Sequence, residues 1–281
     1  MERLAGHYDS FLVDQWGVLH DGRRAFPEAV ECLRQLRDRG KWVTLVSNSG
    51  RPVAANAARL AALGIEPDCY SGLITSGAVF RNCWAARSGP CAALAGRRCL
   101  LWSSEEDPGL LDGLDLAPVP DLIQADFILL AGVRDGTPFG TYLDLLSEAA
   151  RRGSPLLCIN PDTVRYGGKG LTFSAGAVAR RYEEIGGKVF YIGKPHGLIY
   201  QSCLAASPAS ARSRVVAIGD SVGHDVLGGV HAGLDTVLVT DGVHRPDFVS
   251  ATDDAARLRV VQDLAQVAGV LPQWLLPCLR W

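Results

Sequence analysis

Two distant stretches of this 281-residue chain place carboxylates directly after short apolar runs. Residues 11–13 lead to Asp14, and residues 215–219 lead to Asp220 and, a few positions on, Asp225. Each apolar run predicts a buried strand, and open α/β sheets place their sites at the carboxyl ends of strands. Acids delivered to one sheet edge by two strands predict a site for a hard divalent cation. Taken alone, Asp14 also fits a simple turn-capping role.

Other polar groups follow predicted strands in the same way. Ser47, Asn48 and Ser49 come after the strand at residues 42–46 and before a helix, where hydroxyl, amide and free N–H groups suit a phosphate. An ordinary helix cap explains the same residues. Lys194 follows the strand at residues 189–192. An attacking carboxylate, a cation, a hydroxyl and an ammonium group together indicate phosphoryl transfer.

The elements that position these residues alternate between strands and helices. Strand–helix–strand order predicts parallel βαβ units and an α/β fold with a Rossmann-like parallel sheet. The middle of the chain has its own strands and helices, enough for a separate small domain. We therefore predict a core domain from residues 1–77 and 190–281, with a second α/β domain inserted at residues 78–189.

Composition excludes several classes of partner. The formal net charge is −2, from 28 basic and 30 acidic side chains, so nothing indicates nucleic-acid binding. No apolar run approaches the roughly 18–20 residues of a membrane helix, and no secretory signal is visible. The 8 cysteines form no C-x-x-C pair, which makes a zinc site a weak interpretation. We expect a cytoplasmic protein.

Several short motifs carry a family resemblance. They are Asp14, Ser47-Asn48-Ser49-Gly50-Arg51, Thr75-Ser76-Gly77, Asn160-Pro161-Asp162, Gly193-Lys194-Pro195 and Gly219-Asp220-Ser221 with Asp225. With these motifs the chain resembles the haloacid dehalogenase superfamily of aspartyl-phosphate hydrolases. It is most similar to class IIA, the NagD-like or p-nitrophenyl-phosphatase-like branch. The resemblance implies a core with an inserted α/β cap of the C2 type, so the predicted inserted domain would be this cap.

The resemblance also implies roles for individual residues. Asp14 would be the nucleophile, Ser47 would hydrogen-bond the phosphoryl group, and Lys194 would steady the negative charge. Asp220 would bind Mg²⁺ directly and Asp225 would hold its water shell, with Asp14 and the backbone carbonyl of Trp16 as further ligands. The candidates for substrate contact are Ser47, Asn48, Ser49, Asn160, Asp162, Arg165, Lys169 and Lys194. A plain turn is the alternative interpretation of residues 160–162.

Trp16 departs from the family pattern, which carries a second acid two residues after the nucleophile. That acid protonates the leaving group and then activates water, and losing such a group costs about 10²–10⁴ in rate. One explanation is a substitute group, for which His20, Asp21, His196 and His224 are candidates. A second is a substrate with a good leaving group. The third is a weak phosphatase that mainly binds a phosphorylated ligand.

A rival interpretation uses Ser221. Residues 219–223 fit the G-x-S-x-G pattern of serine hydrolases, with Asp241 and His244 downstream. It leaves Asp14 and Lys194 unexplained, so it is set aside. The sequence thus predicts an Mg²⁺-dependent phosphatase of a small phosphorylated metabolite, a phosphomonoester hydrolase. The alternative is a catalytically weak or inactive binder of such a metabolite. A homodimer through the cap is compatible with the sequence, which does not fix the oligomeric state.

Overall fold

The computed structural model describes residues 1–104, 109–167 and 170–281, without the side chains of residues 166, 167, 171 and 209. Its contacts divide the chain into two compact units. The first unit contains Met1–Ser47, Ala57–Ile74 and Tyr200–Trp281, and the second contains Asn48–Asn56 and Thr75–Ile199. No helix in the described ranges is both long and apolar enough to cross a membrane.

The strands are numbered along the chain. They are β1 Ser10–Asp14, β2 Trp42–Ser47, β3 Gly72–Thr75, β4 Arg98–Trp102, β5 Ala117–Pro118, β6 Phe127–Leu130, β7 Leu156–Cys158, β8 Val164–Gly167, β9 Gly170–Phe173, β10 Val189–Tyr191, β11 Val215–Gly219, β12 Asp235–Val239 and β13 Trp274–Leu276.

The helices are numbered in the same way. They are α1 Glu2–His7, α2 Pro27–Asp38, α3 Val53–Ala62, α4 Ser76–Ala85, α5 Gly140–Arg152, α6 Ala175–Glu184, α7 Gly197–Ala206, α8 Leu227–His231, α9 Arg245–Phe248 and α10 Asp254–Ala268. A π-helical turn, Val222–Val226, precedes α8.

The first unit is built on a six-stranded sheet in the order β13-β12-β11-β1-β2-β3. Its central strand β1 pairs in parallel with β2 and with β11. Every residue of β1 and β11 is buried, as expected for strands covered on both faces. Phe11, Leu33, Leu45 and Val216 are among the residues of the core that packs around this sheet. This arrangement brings the carboxyl ends of β1 and β11 side by side.

The second unit has its own sheet and core. Its five strands follow the order β10-β7-β6-β4-β5, and each neighbouring pair is parallel. Ile128, Leu146, Leu156 and Tyr182 belong to its core, which α5 and α6 complete. The strands β8 and β9 form an antiparallel hairpin.

The structure confirms the α/β class, and the predicted alternation of strands and helices matches it closely. Three features were not predicted: α1, the β8–β9 hairpin, and β13, which lengthens the sheet at its edge. The π-helical turn before α8 was not predicted either. The two compact units are defined by contacts within the structure. The division into a core domain of residues 1–77 and 190–281 and a cap of residues 78–189 stays a prediction.

Candidate active site

Three carboxylates meet at the carboxyl ends of β1 and β11. Asp14, Asp220 and Asp225 are 8%, 4% and 4% exposed. One oxygen from each lies within 4.8 Å of the others. Like charges so close together in a buried position are costly unless a cation accompanies them. An all-oxygen donor set of carboxylates is the set that Mg²⁺ or Ca²⁺ takes, so these residues fit a divalent cation.

The backbone holds Asp220 in place. The N–H of Val243, in the loop after β12, donates to Asp220 Oδ2 at 2.7 Å. A Cβ atom on Gly242 or on Gly17 would collide with the Asp220 carboxyl group. Gly17 also has φ +79°, a conformation that favours glycine. Two glycines therefore allow the chain to approach this carboxylate closely.

Asp225 lies in the π-helical turn Val222–Val226. Its Oδ2 accepts the N–H of Ser221 at 3.2 Å, and a Cβ on Gly219 would collide with its carboxyl group. The Tyr200 hydroxyl donates to the backbone carbonyl of Asp225 at 3.2 Å. Single π turns are often found at functional sites. Here the turn directs the Asp225 carboxylate back toward the end of β11.

Backbone contacts within the loop after Asp14 hold the loop together. The Gly17 N–H donates to the carbonyl of His20 at 2.9 Å, and Trp16 forms a bridge with His20. A Cβ on Gly22 would lie 3.1 Å from Trp16 Nε1, so the indole packs against this loop. The loop keeps the Trp16 side chain within the first unit, beside Gly22.

His20 is a poor substitute for the missing acid. Burial, with a smaller contribution from Arg59, lowers the pKa of His20 to about 4. Its Nδ1 accepts the N–H of Gly22 at 3.0 Å, so the neutral ring carries its proton on Nε2. At neutral pH the imidazole is uncharged and holds that proton too tightly to release it to a leaving group.

A second group of polar residues surrounds Lys194 in the second unit. Asn48 Oδ1 accepts the Lys194 N–H at 2.6 Å, and Asn48 Nδ2 donates to the Lys194 carbonyl at 3.0 Å. Asn48 Nδ2 also donates to Asp162 at 2.8 Å, and Ser76 Oγ donates to Asn48 Oδ1 at 3.4 Å. Asn48 is 3% exposed. Its contacts favour a role in positioning Lys194; its predicted contact with substrate stays a prediction.

Gly193 completes this group. Its φ is +113°, and a Cβ there would crowd Ser76, Asn48 and Pro161. Lys194 is itself 4% exposed. The segment before the lysine is therefore fixed by close packing.

The remaining described substrate candidates make local hydrogen bonds or an ion pair, and Arg165 lies in β8. The Asp162 N–H donates to Asn160 Oδ1 at 3.3 Å, and Ser49 Oγ accepts the Arg51 N–H at 3.2 Å. Arg165 forms an ion pair with Asp135. Lys169 lies outside the described residues. The turn interpretation of residues 160–162 therefore agrees with the structure, and the binding roles stay predictions.

The structure distributes the predicted site residues between the two units. The first unit holds Asp14, Trp16, Ser47, Asp220 and Asp225, and the second holds Asn48, Ser49, Asn160, Asp162 and Lys194. Sequence reasoning did not single out Ser76, Gly193, Gly242 or Val243 as site residues. Glycines directly after predicted strands were the available signal, because they mark places where the backbone approaches another group.

The rival serine-hydrolase arrangement does not form. Ser221 Oγ hydrogen-bonds His224 Nδ1 at 2.9 Å. His244 instead contacts Asp247 at 2.9 Å through Nδ1 and the Val222 N–H at 3.3 Å through Nε2. Ser221 and His244 thus have different partners.

Comparison with known proteins extends over both units. A model of haloacid dehalogenase-like hydrolases matches residues 11–116, and a second model, of HAD-hydrolase-like proteins, matches residues 191–267. A solved hydrolase of the haloacid dehalogenase-like family from Brucella suis 1330 is 31% identical, with a TM-score of 0.81. The alignment covers 99% of this chain and 98% of that one.

Two curated relatives are phosphatases by name. Ribonucleotide monophosphatase NagD of Escherichia coli K12 is 29% identical over 246 residues, which cover 85% of this chain and 90% of the relative. Dihydroxyacetone phosphatase of Corynebacterium glutamicum strain R is 28% identical over 240 residues, covering 83% of this chain and 82% of the relative. The similarity therefore extends well beyond the residues of the carboxylate cluster.

Proposed function

Because this chain belongs to the haloacid dehalogenase-like hydrolases, we propose that it is an Mg²⁺-dependent phosphatase of small phosphate monoesters, acting through an aspartyl-phosphate at Asp14. The observation that carries the proposal is the cluster of Asp14, Asp220 and Asp225 at neighbouring strand ends. The names of the relatives, which include nucleotide and dihydroxyacetone phosphatases, support small phosphorylated metabolites as the substrate class.

The chemistry has two steps. A carboxylate oxygen of Asp14 attacks phosphorus, the phosphorus–oxygen bond to the substrate's alcohol breaks, and an aspartyl-phosphate forms. Water then attacks that phosphorus, which releases inorganic phosphate and returns the Asp14 carboxylate. In both steps, positioning of the reacting groups and electrostatic stabilisation of the transition state supply most of the rate acceleration.

Asp14, Asp220, Asp225 and the carbonyl of Trp16 are the residues that would hold the cation. Mg²⁺, when bound, neutralises the phosphate charge and the charge that develops in the transition state. The chain's own contribution is to fix these carboxylates through the Val243 and Ser221 N–H groups and the glycines packed against them.

Ser47 and Lys194 have the chemistry to bind the phosphoryl oxygens. A serine hydroxyl donates one hydrogen bond, and a buried ammonium group is a strong partner for a phosphate. Asn48 holds the backbone of Lys194 on both sides, through its N–H and its carbonyl. These roles come from the family resemblance and remain part of the proposal, as does the division into core and cap.

Trp16 affects which leaving groups the site can release. An indole does not supply a proton at neutral pH, and His20 is held neutral with a pKa of about 4. Asp21, His196 and His224 remain the candidates for a substitute acid; without such a group, a substrate whose alcohol departs readily without a proton is favoured. The alternative function, a weak or inactive binder of a phosphorylated metabolite, is supported by the same residue.

The decisive experiment measures phosphate release from a panel of phosphate monoesters with Mg²⁺ and with a chelator. We expect turnover of at least one substrate, its loss with the chelator, and a fall of at least about 10³-fold in kcat for Asp14→Asn. The matched control is Asp263→Asn, an exposed acid on α10, which should retain full activity.

Two results would contradict the proposal that the protein is a phosphatase acting through Asp14. The first is equal turnover by wild type and Asp14→Asn. The second is an inert wild type that still binds phosphate esters, which would identify a binder. The cytoplasmic location and a homodimer through the cap stay predictions.

A further inference from the structure

The loop after β12 is linked to both Asp220 and Asp225. The Val243 N–H in this loop donates to Asp220 Oδ2 at 2.7 Å. The next residue, His244, accepts the Val222 N–H on its Nε2 at 3.3 Å. Val222 begins the π-helical turn that carries Asp225. Two consecutive residues of one loop therefore contact one proposed cation ligand directly and the turn that carries another.

The Val222 N–H needs an acceptor from outside its turn. The first N–H groups of a helical segment have no acceptor within that segment. Val222 is 3% exposed, and a buried N–H group that loses its hydrogen bond is costly. The Nε2 atom of His244 supplies this acceptor. The imidazole therefore holds the start of the turn in place.

Asp247 fixes the imidazole in the form that can accept this bond. A ring nitrogen that accepts an N–H carries no proton of its own, so the ring proton is on Nδ1. His244 Nδ1 donates it to Asp247 Oδ2 at 2.9 Å. The Asp247 N–H, in α9, also donates to the His244 carbonyl at 2.9 Å. Side-chain and backbone bonds thus set both the tautomer and the orientation of the ring.

The turn is also held near its other end. The Tyr200 hydroxyl donates to the carbonyls of His224 and Asp225, at 3.3 and 3.2 Å. With His244 at the start and Tyr200 near the end, the turn has little freedom to move its carboxylate. Mg²⁺ demands near-ideal ligand geometry. Groups that orient the ligands of a metal typically change its affinity by about 10–100-fold.

We propose that His244, oriented by Asp247, is a positioning residue of the cation site. Its ring accepts the Val222 N–H and so keeps the Asp225 carboxylate in a fixed place relative to Asp220, without being a ligand itself. All five residues belong to the first unit. The inference rests on the proposed Mg²⁺-dependent function and extends it to residues outside the ligand set.

Two amide substitutions separate the two contacts of the ring. In His244→Gln the side-chain oxygen reaches about as far as Nε2 and can accept the Val222 N–H. In His244→Asn the amide reaches only as far as Nδ1, so it can contact Asp247 but not Val222. Titration calorimetry of the full chain with Mg²⁺ should show a Kd raised about tenfold or more for His244→Asn. His244→Gln should stay within about threefold of wild type.

Amide hydrogen exchange in the metal-free chain tests the contact without cation or substrate. The Val222 N–H should exchange at least about tenfold faster in His244→Asn than in wild type, and His244→Gln should restore most of its protection. Asp247→Ala leaves the imidazole in place but removes its partner, and should raise the Mg²⁺ Kd by about threefold. This variant keeps the test available if His244→Asn does not fold.

Two controls separate positioning from a general loss of stability. Leu33→Ala destabilises the first unit from a core cluster that does not include Val222, and should leave the Mg²⁺ Kd of the folded chain unchanged. His231→Asn changes an exposed histidine at the end of α8 and should affect neither measurement. A purely structural role for His244 predicts the result of Leu33→Ala, which is lower stability with an unchanged Kd.

The possible outcomes are distinct. Equal Mg²⁺ Kd values for His244→Asn and wild type would overturn the inference and leave the phosphatase proposal intact. An equal loss of affinity in His244→Asn and His244→Gln would do the same, because the contact with Val222 would then not control the affinity. A wild-type chain that neither binds Mg²⁺ nor releases phosphate would overturn the phosphatase proposal and this inference together.

Discussion

Trp16 stands where the resembled family carries its second acid. The side chain packs beside Gly22, in a loop that its own backbone hydrogen bonds close. His20, the nearest histidine in that loop, is buried and neutral. Within this loop, neither residue supplies a proton to a departing alcohol. The rate should therefore depend strongly on how well the leaving group carries negative charge.

The first prediction concerns this dependence. Trp16→Asp should raise kcat for alkyl phosphates by about 10²–10⁴, because it restores a general acid, and should change kcat for p-nitrophenyl phosphate much less. Rates for esters of alcohols with graded pKa values provide the measurement. Trp16→Phe, which removes the indole without adding an acid, is the control. If Trp16→Asp and Trp16→Phe behave alike on alkyl phosphates, another group already supplies the proton.

The second prediction concerns Gly17. Its φ of +79° strains any other residue, and a Cβ would collide with the Asp220 carboxyl group. We expect Gly17→Ala to lower the free energy of unfolding by about 1 kcal/mol or more and to weaken Mg²⁺ binding by about tenfold. Titration calorimetry with Mg²⁺ and chemical denaturation measure the two effects separately.

Gly40→Ala is the matched control for Gly17. Gly40 has φ +68°, but no atom lies within 4 Å of a Cβ built there. Alanine at residue 40 therefore causes backbone strain comparable to that of Gly17→Ala but does not reach the Asp220 carboxylate. Equal loss of Mg²⁺ affinity in both variants would show that the proximity of Gly17 to Asp220 has no role.

At the scale of elements, the sequence predicted strand ends well and their surroundings poorly. Residues 47–49 were predicted as a phosphate-binding turn or a helix cap. In the structure Asn48 bonds the backbone of Lys194 and the side chain of Asp162, both distant in the chain, and its phosphate-binding role stays a prediction. The π-helical turn that carries Asp225 was also missed, because local periodicity does not distinguish it from the start of an ordinary helix.

The third prediction tests the role of Asn48. Asn48→Ala removes both bonds to the Lys194 backbone and leaves buried polar groups without that partner, at about 1–3 kcal/mol for each group. We expect kcat/KM to fall by about 10–100-fold, because the lysine segment shifts. Asn82→Ala, an exposed position on α4, is the control. An unchanged kcat/KM in folded Asn48→Ala would show that these bonds do not position the lysine.

At the scale of the whole molecule, the six-stranded sheet and the five-stranded sheet each have a core of their own among the described residues. The proposed metal ligands all belong to the first unit. A ligand that binds one unit stabilises that unit by mass action, by about 2.7 kcal/mol at a hundred times its Kd. Multi-domain chains commonly depart from two-state unfolding.

The fourth prediction follows from these two cores. Calorimetry should resolve two unfolding transitions, and Mg²⁺ should raise only the one that belongs to the first unit. Leu33→Ala and Leu146→Ala each remove a fully buried side chain, from the first and the second core respectively. Each should cost about 2–5 kcal/mol. Leu33→Ala should lower the Mg²⁺-sensitive transition and Leu146→Ala the other one; a single transition lowered by both would contradict the prediction.

The sequence alone determined the alternation of the main strands and helices and the acids at the ends of β1 and β11. These follow from local patterns, since an apolar run with a polar end is visible within a few residues. The alternation of strand and helix patterns also predicted the α/β class, which the structure confirms. The motifs predicted the family, which the comparisons confirm. Which side chains meet was decided only by the tertiary structure. The pairing of β1 with β11, the bonds of Asn48 and the low pKa of His20 all arise from contacts between distant segments. Burial, strand pairing and close approach at glycines depend on where the chain returns in space, and no local pattern records that.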